Sequence, residues 1–391
     1  MLMQSVTLKY GCNPNQKPAE VRAADGELPL EVLSGNPGYI NFMDAMNSWQ
    51  LVKELKAALE MPAAASFKHV SPAGAALGLP LSEDEKKAYG VKAASLSPLA
   101  CAYIRARGAD RLSSFGDWAA LSDPVDQDTA EVLKGEVSDG VIAPGYSPEA
   151  LEILKKKRGG KYNVIKIDPT YEPPELETRL IGGIEFMQKR NTHIPAFDDL
   201  QNIVTADKEL PMEARRDMVL AMITLKYTQS NSVCYVSNGQ VIGVGAGQQS
   251  RIHCTRLAGD KADIWYLKQH PRVLGFQFKA KVGKAERDNA MDLFVRQDTT
   301  DYELKTLAAV LEEIPPRLSE AEREEWLKGL QNVTIGSDAF FPFRDNIDRA
   351  YKSGVKYVVQ TGGSLRDDLV IDACNEYDMV MVTTGMRLFH H

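Results

Sequence analysis

Apolar side chains recur with helical spacing in several stretches of this 391-residue chain. Over residues 44–59 one helical face carries Ala45, Trp49, Val52, Leu55 and Leu59, and residues 211–225 repeat the pattern. This period predicts two amphipathic helices, each packed by one face. A short apolar run at 63–67 is instead typical of a buried strand.

A second pattern predicts a β-hairpin followed by a helix. The apolar run at 233–236 meets Asn238-Gly239, and a second strand over 240–244 ends at Gly245-Ala246-Gly247. Asn-Gly between two such runs is the strongest short-range hairpin signal. We expect a helix to begin near Arg251 and to continue through 260–269. The glycine-rich loop lets backbone N–H groups approach a ligand, and Arg251 adds a fixed cation.

Lys68 and His69 follow the strand predicted at 63–67. Ser71 is a suitable N-cap and Pro72 a suitable first helical residue, so the pattern predicts that a helix begins here. A helix N-terminus favours negative charge. Histidine exchanges a proton near neutral pH, and lysine can hold a phosphate or stabilise an oxyanion.

Two segments share one layout, which indicates an internal repeat. In the first, Ser113-Ser114-Phe115-Gly116-Asp117 precedes a helix at 126–134, a strand at 141–142 and a second helix after Gly145-Tyr146-Ser147. In the second, residues 337–341 precede a helix at 345–352, a strand at 357–359 and a helix to 376, where Ser364 and Asp367 are spaced for a capping box. The repeat predicts two related α/β lobes.

Composition favours a soluble enzyme. The net charge of −7 argues against a nucleic-acid-binding face, and the five cysteines are widely spaced, as in a reduced protein. Cys234 and Cys374 stand in apolar surroundings, which predicts core positions. The first residues lack the pattern of a signal peptide, and no apolar run reaches the length that spans a bilayer. We therefore expect a cytoplasmic protein without membrane or nucleic-acid partners.

Motifs along nearly the whole chain resemble those of the AICAR transformylase family, the formyl-transferring half of a bifunctional purine-biosynthesis protein. Besides residues 226–262, the motifs that match in the family's order are Leu8-Lys9-Tyr10-Gly11-Cys12-Asn13-Pro14, Ser66-Phe67-Lys68-His69-Val70-Ser71-Pro72-Ala73-Gly74, Ser113-Ser114-Phe115-Gly116-Asp117, Ser337-Asp338-Ala339-Phe340-Phe341-Pro342-Phe343-Arg344-Asp345-Asn346 and Arg387-Leu388-Phe389-His390-His391.

The resemblance implies an α/β fold of two duplicated cytidine-deaminase-like lobes, each a three-layer α/β/α unit. We place the first lobe at residues 1–170, a connecting segment at 171–210 and the second lobe at 211–391. The proline-rich and acidic stretch at 168–177 and the stretch at 188–199 belong to this connection. The repeat supports duplication by itself, whereas the likeness to deaminases comes from the family alone.

The resemblance also implies a reaction, in which the amine of AICAR attacks the formyl carbon of 10-formyltetrahydrofolate. By analogy His69 handles the proton, Lys68 stabilises the developing charge and Asn231 orients the imidazole and the formyl group. The matching AICAR positions are Lys9, Tyr10 and Arg387 for the phosphate, Gly116 and Asp139 for the ribose, and Arg251 and Phe340 for the imidazole carboxamide. The folate positions are Ile252, Asp345, Ser364 and Leu365.

Further expectations come from the family. We expect a homodimer with active sites at the interface, no zinc, and a separate IMP cyclohydrolase, because the usual N-terminal cyclohydrolase domain is absent from this sequence. A monovalent cation such as K⁺ near Thr228 is an additional hypothesis. Lys9 and Asn15 depart from the family's usual arginine and histidine, which puts phosphate affinity in doubt because lysine lacks the bidentate fork.

Three other functions have weaker support. A zinc deaminase would need a His-x-Glu with a Pro-Cys-x-x-Cys, which this sequence lacks. A dehydrogenase is disfavoured because residues 243–247 follow a hairpin strand instead of opening a βαβ unit. A non-catalytic binding module would tolerate loss of His69, and His69 is present.

Overall fold

A computed structural model describes residues 5–24 and 26–391. The strands β1 to β15 are, in chain order, Ser5–Leu8, Ala19–Arg22, Leu30–Ser34, Ala63–Lys68, Ser71–Leu77, Asp117–Leu121, Ser138–Ala143, Asn163–Ile167, Leu176–Ile181, Ile184–Lys189, Val233–Ser237, Gln240–Gly245, Val333–Ser337, Val355–Gln360 and Val380–Thr383. The helices α1 to α13 are Tyr39–Leu59, Glu83–Ala88, Pro98–Gly108, Gln127–Lys134, Pro148–Lys156, Met212–Lys226, Arg251–Leu267, Pro271–Leu274, Lys284–Val295, Asp301–Val310, Glu320–Leu327, Asp345–Tyr351 and Asp367–Glu376.

Eleven of these strands form one mixed sheet, in the order β15-β14-β13-β11-β12-β5-β4-β6-β7-β8-β3. Within it β6, β7 and β8 run parallel, as do β13, β14 and β15, whereas β4–β5 and β11–β12 are antiparallel hairpins. The two halves of the sheet meet where β12 pairs with β5 through Gln240 and Ala76. The fold is therefore α/β, with one sheet continuous through both halves.

The order of elements repeats across this junction. Apart from the short α2 and the helices α8 to α11, the first half runs α1-β4-β5-α3-β6-α4-β7-α5-β8, and the second half runs α6-β11-β12-α7-β13-α12-β14-α13-β15. The strand–helix units predicted from the repeated sequence layout are confirmed in both halves. The predicted capping box is only half formed, because the Asp367 carboxylate accepts from the Ser364 N–H while the Ser364 hydroxyl accepts from the Arg366 N–H.

Helices cover both faces of the sheet because alternate side chains of each strand point to opposite faces. On one face Ala65 and Phe67 of β4 share a core with Trp49 of α1 and Val219 of α6. On the other face Ala64 packs in a core with α3, α4 and α5, and β11 packs in a core with α7, α12 and α13. Burial of each large apolar side chain contributes about 1.5–3 kcal/mol. Cys234 and Cys374 are fully buried, as predicted.

The helix predicted after Ser71 is wrong, because residues 71–77 form strand β5. A serine followed by proline does begin a helix at Ser97-Pro98, where the Ser97 hydroxyl accepts from the Ala100 N–H. At β5 the chain is instead held between two strands and against α3. A Cβ placed on Gly74 would lie 2.2 Å from the Ala106 carbonyl oxygen, so the small residues of β5 serve this close packing.

Two further parts of the fold lie outside what the patterns predicted. Helices α8 to α11 are inserted between α7 and β13 and pack around a small core of their own that includes Phe276 and Phe294. The segment 171–210 contains the separate hairpin β9–β10, whose residues are exposed along both strands. Among the described residues, no helix combines the length and the apolar character needed to cross a bilayer.

Candidate active site

Most of the predicted site residues gather at one end of the strands of the large sheet. At this edge β4 ends and β6 and β7 begin, while β13, β14 and β15 end there, because β4 is antiparallel to β6 and β11 is antiparallel to β13. Residues that are far apart in sequence therefore lie at or close to strand ends on the same side of the molecule: Lys68, His69, Gly116, Asp139, Asn231, Phe340, Asp345, Ser364, Leu365 and Arg387.

Lys68 and His69 lie at the turn of the β4–β5 hairpin. His69 and Val70 have φ of 54° and 61°, and Lys68 pairs with Ser71 across the turn. Two central residues with positive φ are typical of a type I′ turn. No helix begins here, so the helix-dipole argument made from the sequence does not apply. The turn itself presents the exposed His69 side chain at the sheet edge.

The buried carboxylate of Asp44 supports this turn from α1. Its Oδ1 accepts a hydrogen bond from the Val70 N–H at 2.6 Å. Burial raises the pKa of Asp44 to about 6, and the Val70 N–H and the charge of His69 oppose that rise. The sequence patterns missed Asp44, because they began the helix at residue 44, where an acid is an ordinary exposed cap. The helix begins at Tyr39, which places Asp44 in its interior.

Gly116 and Asp139 meet Lys68 at the neighbouring strand ends. The Lys68 ammonium donates to the Phe115 carbonyl oxygen. A Cβ placed on Gly116 would lie 3.9 Å from the Lys68 Nζ and 3.9 Å from an Asp139 carboxylate oxygen, and the φ of +75° at Gly116 favours glycine. Asp139 also pairs with the Arg158 guanidinium at 3.0 Å. We call Lys68, His69, Gly116 and Asp139 the first-half cluster.

Asn231 and Arg251 form the centre of a second group. The Asn231 amide donates to the carbonyl oxygens of Gln248 and Gln249 at 3.0 and 3.2 Å, and its Oδ1 accepts from Arg251 at 2.8 Å. Because a guanidinium only donates, these partners determine which way the amide points. Helix α7 begins at Arg251, as predicted.

Asp338 holds this second group together. Its buried carboxylate accepts from Arg251, and it also accepts from the Ser230 hydroxyl at 2.6 Å and the Ser232 N–H at 3.0 Å. Asp338 belongs to one of the matched motifs, but the sequence alone assigned it no role. We call Asn231, Arg251 and Asp338 the second-half cluster.

The other predicted positions of the second half include exposed apolar side chains. Leu365 is 100% exposed, Phe340 is 40% exposed, and Ile252 is half-buried. Asp345 is the first residue of α12, where its Oδ1 accepts from the Asn346 amide at 2.9 Å. Exposed apolar side chains beside a carboxylate are suited to a flat ligand with polar edges.

Two openings adjoin the clusters. A cleft of about 360 Å³ is lined by Lys68 and His69 and, from the second half, by Val244, Leu257 and Lys261. A larger cavity of about 880 Å³ lies between α1, the β9–β10 hairpin and the C-terminal residues, and Arg387 lines it. Lys9 and Tyr10 follow β1 in the separate β1–β2 hairpin. Among residues 5–24 and 26–391, no hydrogen bond links these two residues to either cluster.

The surroundings of Thr228 bear on the cation hypothesis. The Thr228 hydroxyl donates to the Thr224 carbonyl oxygen at 2.7 Å, and the Ser230 hydroxyl, two residues along the chain, donates to the Asp338 carboxylate at 2.6 Å. Within residues 5–24 and 26–391, no group of three or more His, Cys, Asp or Glu side chains is placed to hold a metal ion. The Cys254 thiol donates to the Asn231 carbonyl oxygen at 3.0 Å, and burial raises its pKa to about 11.

Comparison with known proteins identifies the family. A family model described as the AICARFT/IMPCHase bienzyme matches residues 1–261. The bifunctional purine biosynthesis protein PurH of Ruegeria sp. (strain TM1040) is 32% identical over 389 residues, which is 98% of this chain and 59% of that protein. PurH of Roseobacter denitrificans is 32% identical over 98% of this chain and 60% of its own length, and PurH of Cereibacter sphaeroides (strain ATCC 17029 / ATH 2.4.9) is 31% identical over 98% and 59%.

The chain thus spans about three fifths of the length of these relatives. The family match covers the Lys68-His69 turn, Gly116, Asp139, Asn231 and Arg251, and the relatives extend the similarity through the rest of the second half. This chain belongs to the AICARFT/IMPCHase bienzyme family.

Proposed function

We propose that this chain transfers the formyl group of 10-formyltetrahydrofolate to the 5-amino group of AICAR, giving formyl-AICAR and tetrahydrofolate in the biosynthesis of IMP. The observation that carries this proposal is the convergence of the Lys68-His69 turn, Asp139 and Asn231 at one edge of the sheet. The name of the relatives, a bifunctional purine biosynthesis protein, agrees with this substrate class.

The reaction needs a base, a charge-stabilising cation and an orienting amide. The amine nitrogen of AICAR bonds to the formyl carbon while His69 takes the amine proton, and the tetrahedral intermediate carries an oxyanion near Lys68. The bond from carbon to folate N10 then breaks, and N10 receives the proton. Asn231 suits the orienting role because hydrogen bonds on both ends of its amide hold it in one direction.

The binding roles follow the same arrangement. Gly116 and Asp139 would contact the ribose, Arg251 and Phe340 the imidazole carboxamide, and Lys9, Tyr10 and Arg387 the phosphate. Ile252, Leu365 and Ser364 would contact the folate, with Asp345 accepting from the pterin edge. Arg251 has three protein partners, so it acts in this proposal chiefly by orienting Asn231.

The separation of the strands that lead to His69 and Asn231 bears on how the site is completed. Strands β5 and β12 lie between β4 and β11. Three strand spacings place β4 and β11 about 14 Å apart. The loops beyond these strands come closer, because the Gln229 N–H donates to the Ser71 hydroxyl at 3.4 Å. We infer that the site is completed in a homodimer, where Asn231 of one protomer faces the Lys68-His69 turn of its partner.

The β9–β10 hairpin supports a dimer independently. Its exposed side chains include Leu180 at 74%, Met187 at 66% and Ile184 at 65%. A two-stranded hairpin with apolar side chains on both faces is only marginally stable by itself in water. A second copy that covers the hairpin would bury this surface.

The proposal also covers a bound cation, the cellular location and the step that follows formyl transfer. A cation near Thr228 would be held by oxygens of Thr228, Ser230 and Asp338 and would support the loop before β11. No step of the reaction depends on it. We also propose that this chain works in the cytoplasm without zinc, and that ring closure to IMP needs a cyclohydrolase activity from outside these 391 residues.

The proposed function is tested by mixing the purified protein with AICAR and 10-formyltetrahydrofolate and following tetrahydrofolate by absorbance. We expect release that depends on both substrates, together with formyl-AICAR identified by mass spectrometry. Replacing AICAR by the same nucleotide without its 5-amino group is the matched control. No tetrahydrofolate above that control would contradict the proposal.

A further inference from the structure

A cavity of about 220 Å³ lies where the first half of the fold meets α7 and the inserted helix α9, and it contains no residue of either cluster. Its walls come from α2, from the end of α3 and the loop that follows, from α7 and from α9. Ser113 and Lys261 line both this cavity and the cleft beside the Lys68-His69 turn. The cavity therefore adjoins the candidate active site but is built from other residues.

The Tyr89 hydroxyl in the wall of this cavity is a buried donor that lacks an acceptor. Tyr89 is 6% exposed, and its hydroxyl oxygen accepts from the Trp265 indole at 2.8 Å and from the Gln240 amide at 3.1 Å. Burial raises the pKa of Tyr89 to about 12, so the phenol keeps its proton at neutral pH. Over residues 5–24 and 26–391, no protein oxygen or nitrogen accepts that proton.

The direction of these two hydrogen bonds is fixed by chemistry. An indole N–H can only donate. The nitrogen of the Gln240 amide also donates to the Arg105 carbonyl oxygen at 2.7 Å. Because a carbonyl oxygen only accepts, the amide cannot be turned round to offer its oxygen to Tyr89. Both partners of the hydroxyl are therefore donors, and its own proton is free for a third group.

The hydroxyl lies at the cavity wall. Tyr89, Gly108 and Trp265 all line the cavity. A Cβ placed on Gly108 would lie 2.8 Å from the Tyr89 hydroxyl oxygen, so the hydroxyl lies directly against the backbone of Gly108. A hydroxyl that is bonded to one lining residue and touches another is within reach of a molecule in the cavity.

The size and the walls of the cavity favour an organic molecule over a single water. One water takes about 30 Å³ of liquid volume, and an apolar cavity of about 150 Å³ holds benzene. Much of the wall is apolar, because it is formed by Ala88, Ala109, Leu112, Ile264 and Met291. A water on Tyr89 would fill only a small part of this space, and the walls offer further waters few partners.

The charged side chains around the cavity are already paired with one another. The pairs are Asp110–Lys261, Arg111–Asp288 and Asp292–Lys268, with N···O distances of 3.0, 2.8 and 2.8 Å. The first pair joins the first half to α7, the second joins the first half to α9, and the third joins α9 to α7. Since a charged ligand would leave water without an unpaired partner to receive it, the cavity favours a neutral one.

We propose that this cavity binds a neutral, planar heteroaromatic molecule of about two fused rings, whose ring nitrogen or carbonyl oxygen accepts the Tyr89 proton. The apolar walls give most of the contact area, and the hydrogen bond gives the orientation. The bound molecule contacts the first half, α7 and α9 beside the candidate active site. This inference does not depend on the proposed function.

The test compares isoquinoline with naphthalene, which has the same size and shape but no acceptor. Isothermal titration calorimetry of the 391-residue chain at mildly alkaline pH, where isoquinoline is neutral, measures both affinities. We expect isoquinoline to bind with saturation and naphthalene to bind about tenfold more weakly, because naphthalene leaves the Tyr89 donor unpaired.

Substitutions locate the binding. Tyr89→Phe should lower the affinity for isoquinoline about tenfold, to that for naphthalene, without changing the affinity for naphthalene. Tyr235→Phe is the matched control, because Tyr235 is a buried phenol outside the cavity that donates to the Thr255 carbonyl oxygen at 3.3 Å. If Tyr89→Phe folds poorly, Leu112→Trp keeps the test open, because the larger side chain fills the cavity and should abolish the saturable binding of both probes.

Several results would overturn the inference. One is the absence of saturable isoquinoline binding to the folded wild type. Equal affinities for isoquinoline and naphthalene would show that the Tyr89 proton stays on an ordered water. Isoquinoline binding that a folded Tyr89→Phe or Leu112→Trp protein leaves unchanged would place the probe elsewhere on the molecule.

Discussion

The Arg251 guanidinium is paired with the buried Asp338 carboxylate, and this pair joins the start of α7 to the loop after β13. The same guanidinium donates to the Ser232 carbonyl oxygen and to the Asn231 side chain. A single planar group therefore connects the three segments that surround Asn231. Lysine would keep the charge but could not serve these acceptors with the geometry of the fork.

We expect Arg251→Lys to lower both stability and turnover. Loss of buried, charge-assisted hydrogen bonds should lower the free energy of unfolding by about 2–3 kcal/mol, and the freed Asn231 amide should lower kcat at least about tenfold. Urea unfolding and steady-state kinetics measure the two effects. Arg344→Lys is the matched control for stability, because Arg344 makes a forked contact with Asp348 and Glu376 that is exposed. Equal losses of unfolding free energy in Arg251→Lys and Arg344→Lys would contradict the role given to burial.

The Lys68-His69 turn leads to a prediction about turnover. We expect His69→Ala to lower kcat by roughly 10²–10⁴-fold and Lys68→Ala by roughly 10²–10³-fold, with the fold intact by circular dichroism. His193→Ala removes an exposed histidine that contacts Asp199 and should be nearly neutral. A well-folded His69→Ala enzyme with wild-type kinetics would remove the assignment of the base.

The composite site leads to a prediction about mixed dimers. Lys68→Ala and Asn231→Ala chains should each be inactive, and activity should return after the two are mixed and allowed to exchange subunits. It should return because one of the two sites then contains both intact residues. Light scattering checks that the protein is a dimer. A fully active monomer, or mixtures that stay inactive although heterodimers form, would exclude this arrangement.

The raised pKa of Asp44 leads to a prediction about stability and pH. Burial raises this pKa from 3.8 to about 6, so the folded chain binds the proton more tightly than the unfolded chain does. The contribution of Asp44 to stability is present below pH 3.8 and is lost as the pH rises through 6. The amide that replaces the carboxyl group does not titrate. The free energy of unfolding of Asp44→Asn, taken relative to that of the wild type, should therefore rise by about 3 kcal/mol as the pH is raised from about 4 to about 7.

Urea unfolding of both proteins across that pH range measures this difference. Glu54→Gln serves as a control for removal of a buried acid that has a cationic partner, since Glu54 pairs with Lys226 at 2.5 Å. A difference between Asp44→Asn and the wild type that does not change with pH would show that Asp44 is not the group that titrates.

The span of the match leads to a prediction about the product. The sequence covers 59% of the length of a bifunctional relative, and its motifs resemble those of the AICAR transformylase family. We expect this 391-residue chain to make formyl-AICAR without appreciable IMP, and a separately added cyclohydrolase to pull the reaction forward. Chromatography of the reaction mixture measures both products. IMP formed by this chain alone, at a rate near that of formyl transfer, would contradict the prediction.

Local patterns in the sequence determined the elements whose signals are short-range. The hairpin around Asn238-Gly239, the start of α7 at Arg251 and the repeated strand–helix units were all predictable. Turn chemistry and side-chain periodicity depend on residues a few positions apart, and these are visible in one sequence.

The tertiary structure alone decided how the site is assembled. Ser71-Pro72 begins a strand while Ser97-Pro98 begins a helix, because strand formation depends on partners that are distant in sequence. The burial of Asp44 depends on which face of α1 meets the sheet edge. Asn231 and Asp338 come together only because β11 and β13 are antiparallel neighbours, which no local pattern specifies. The chemistry of each residue type was thus readable along the chain, and its environment was set by packing.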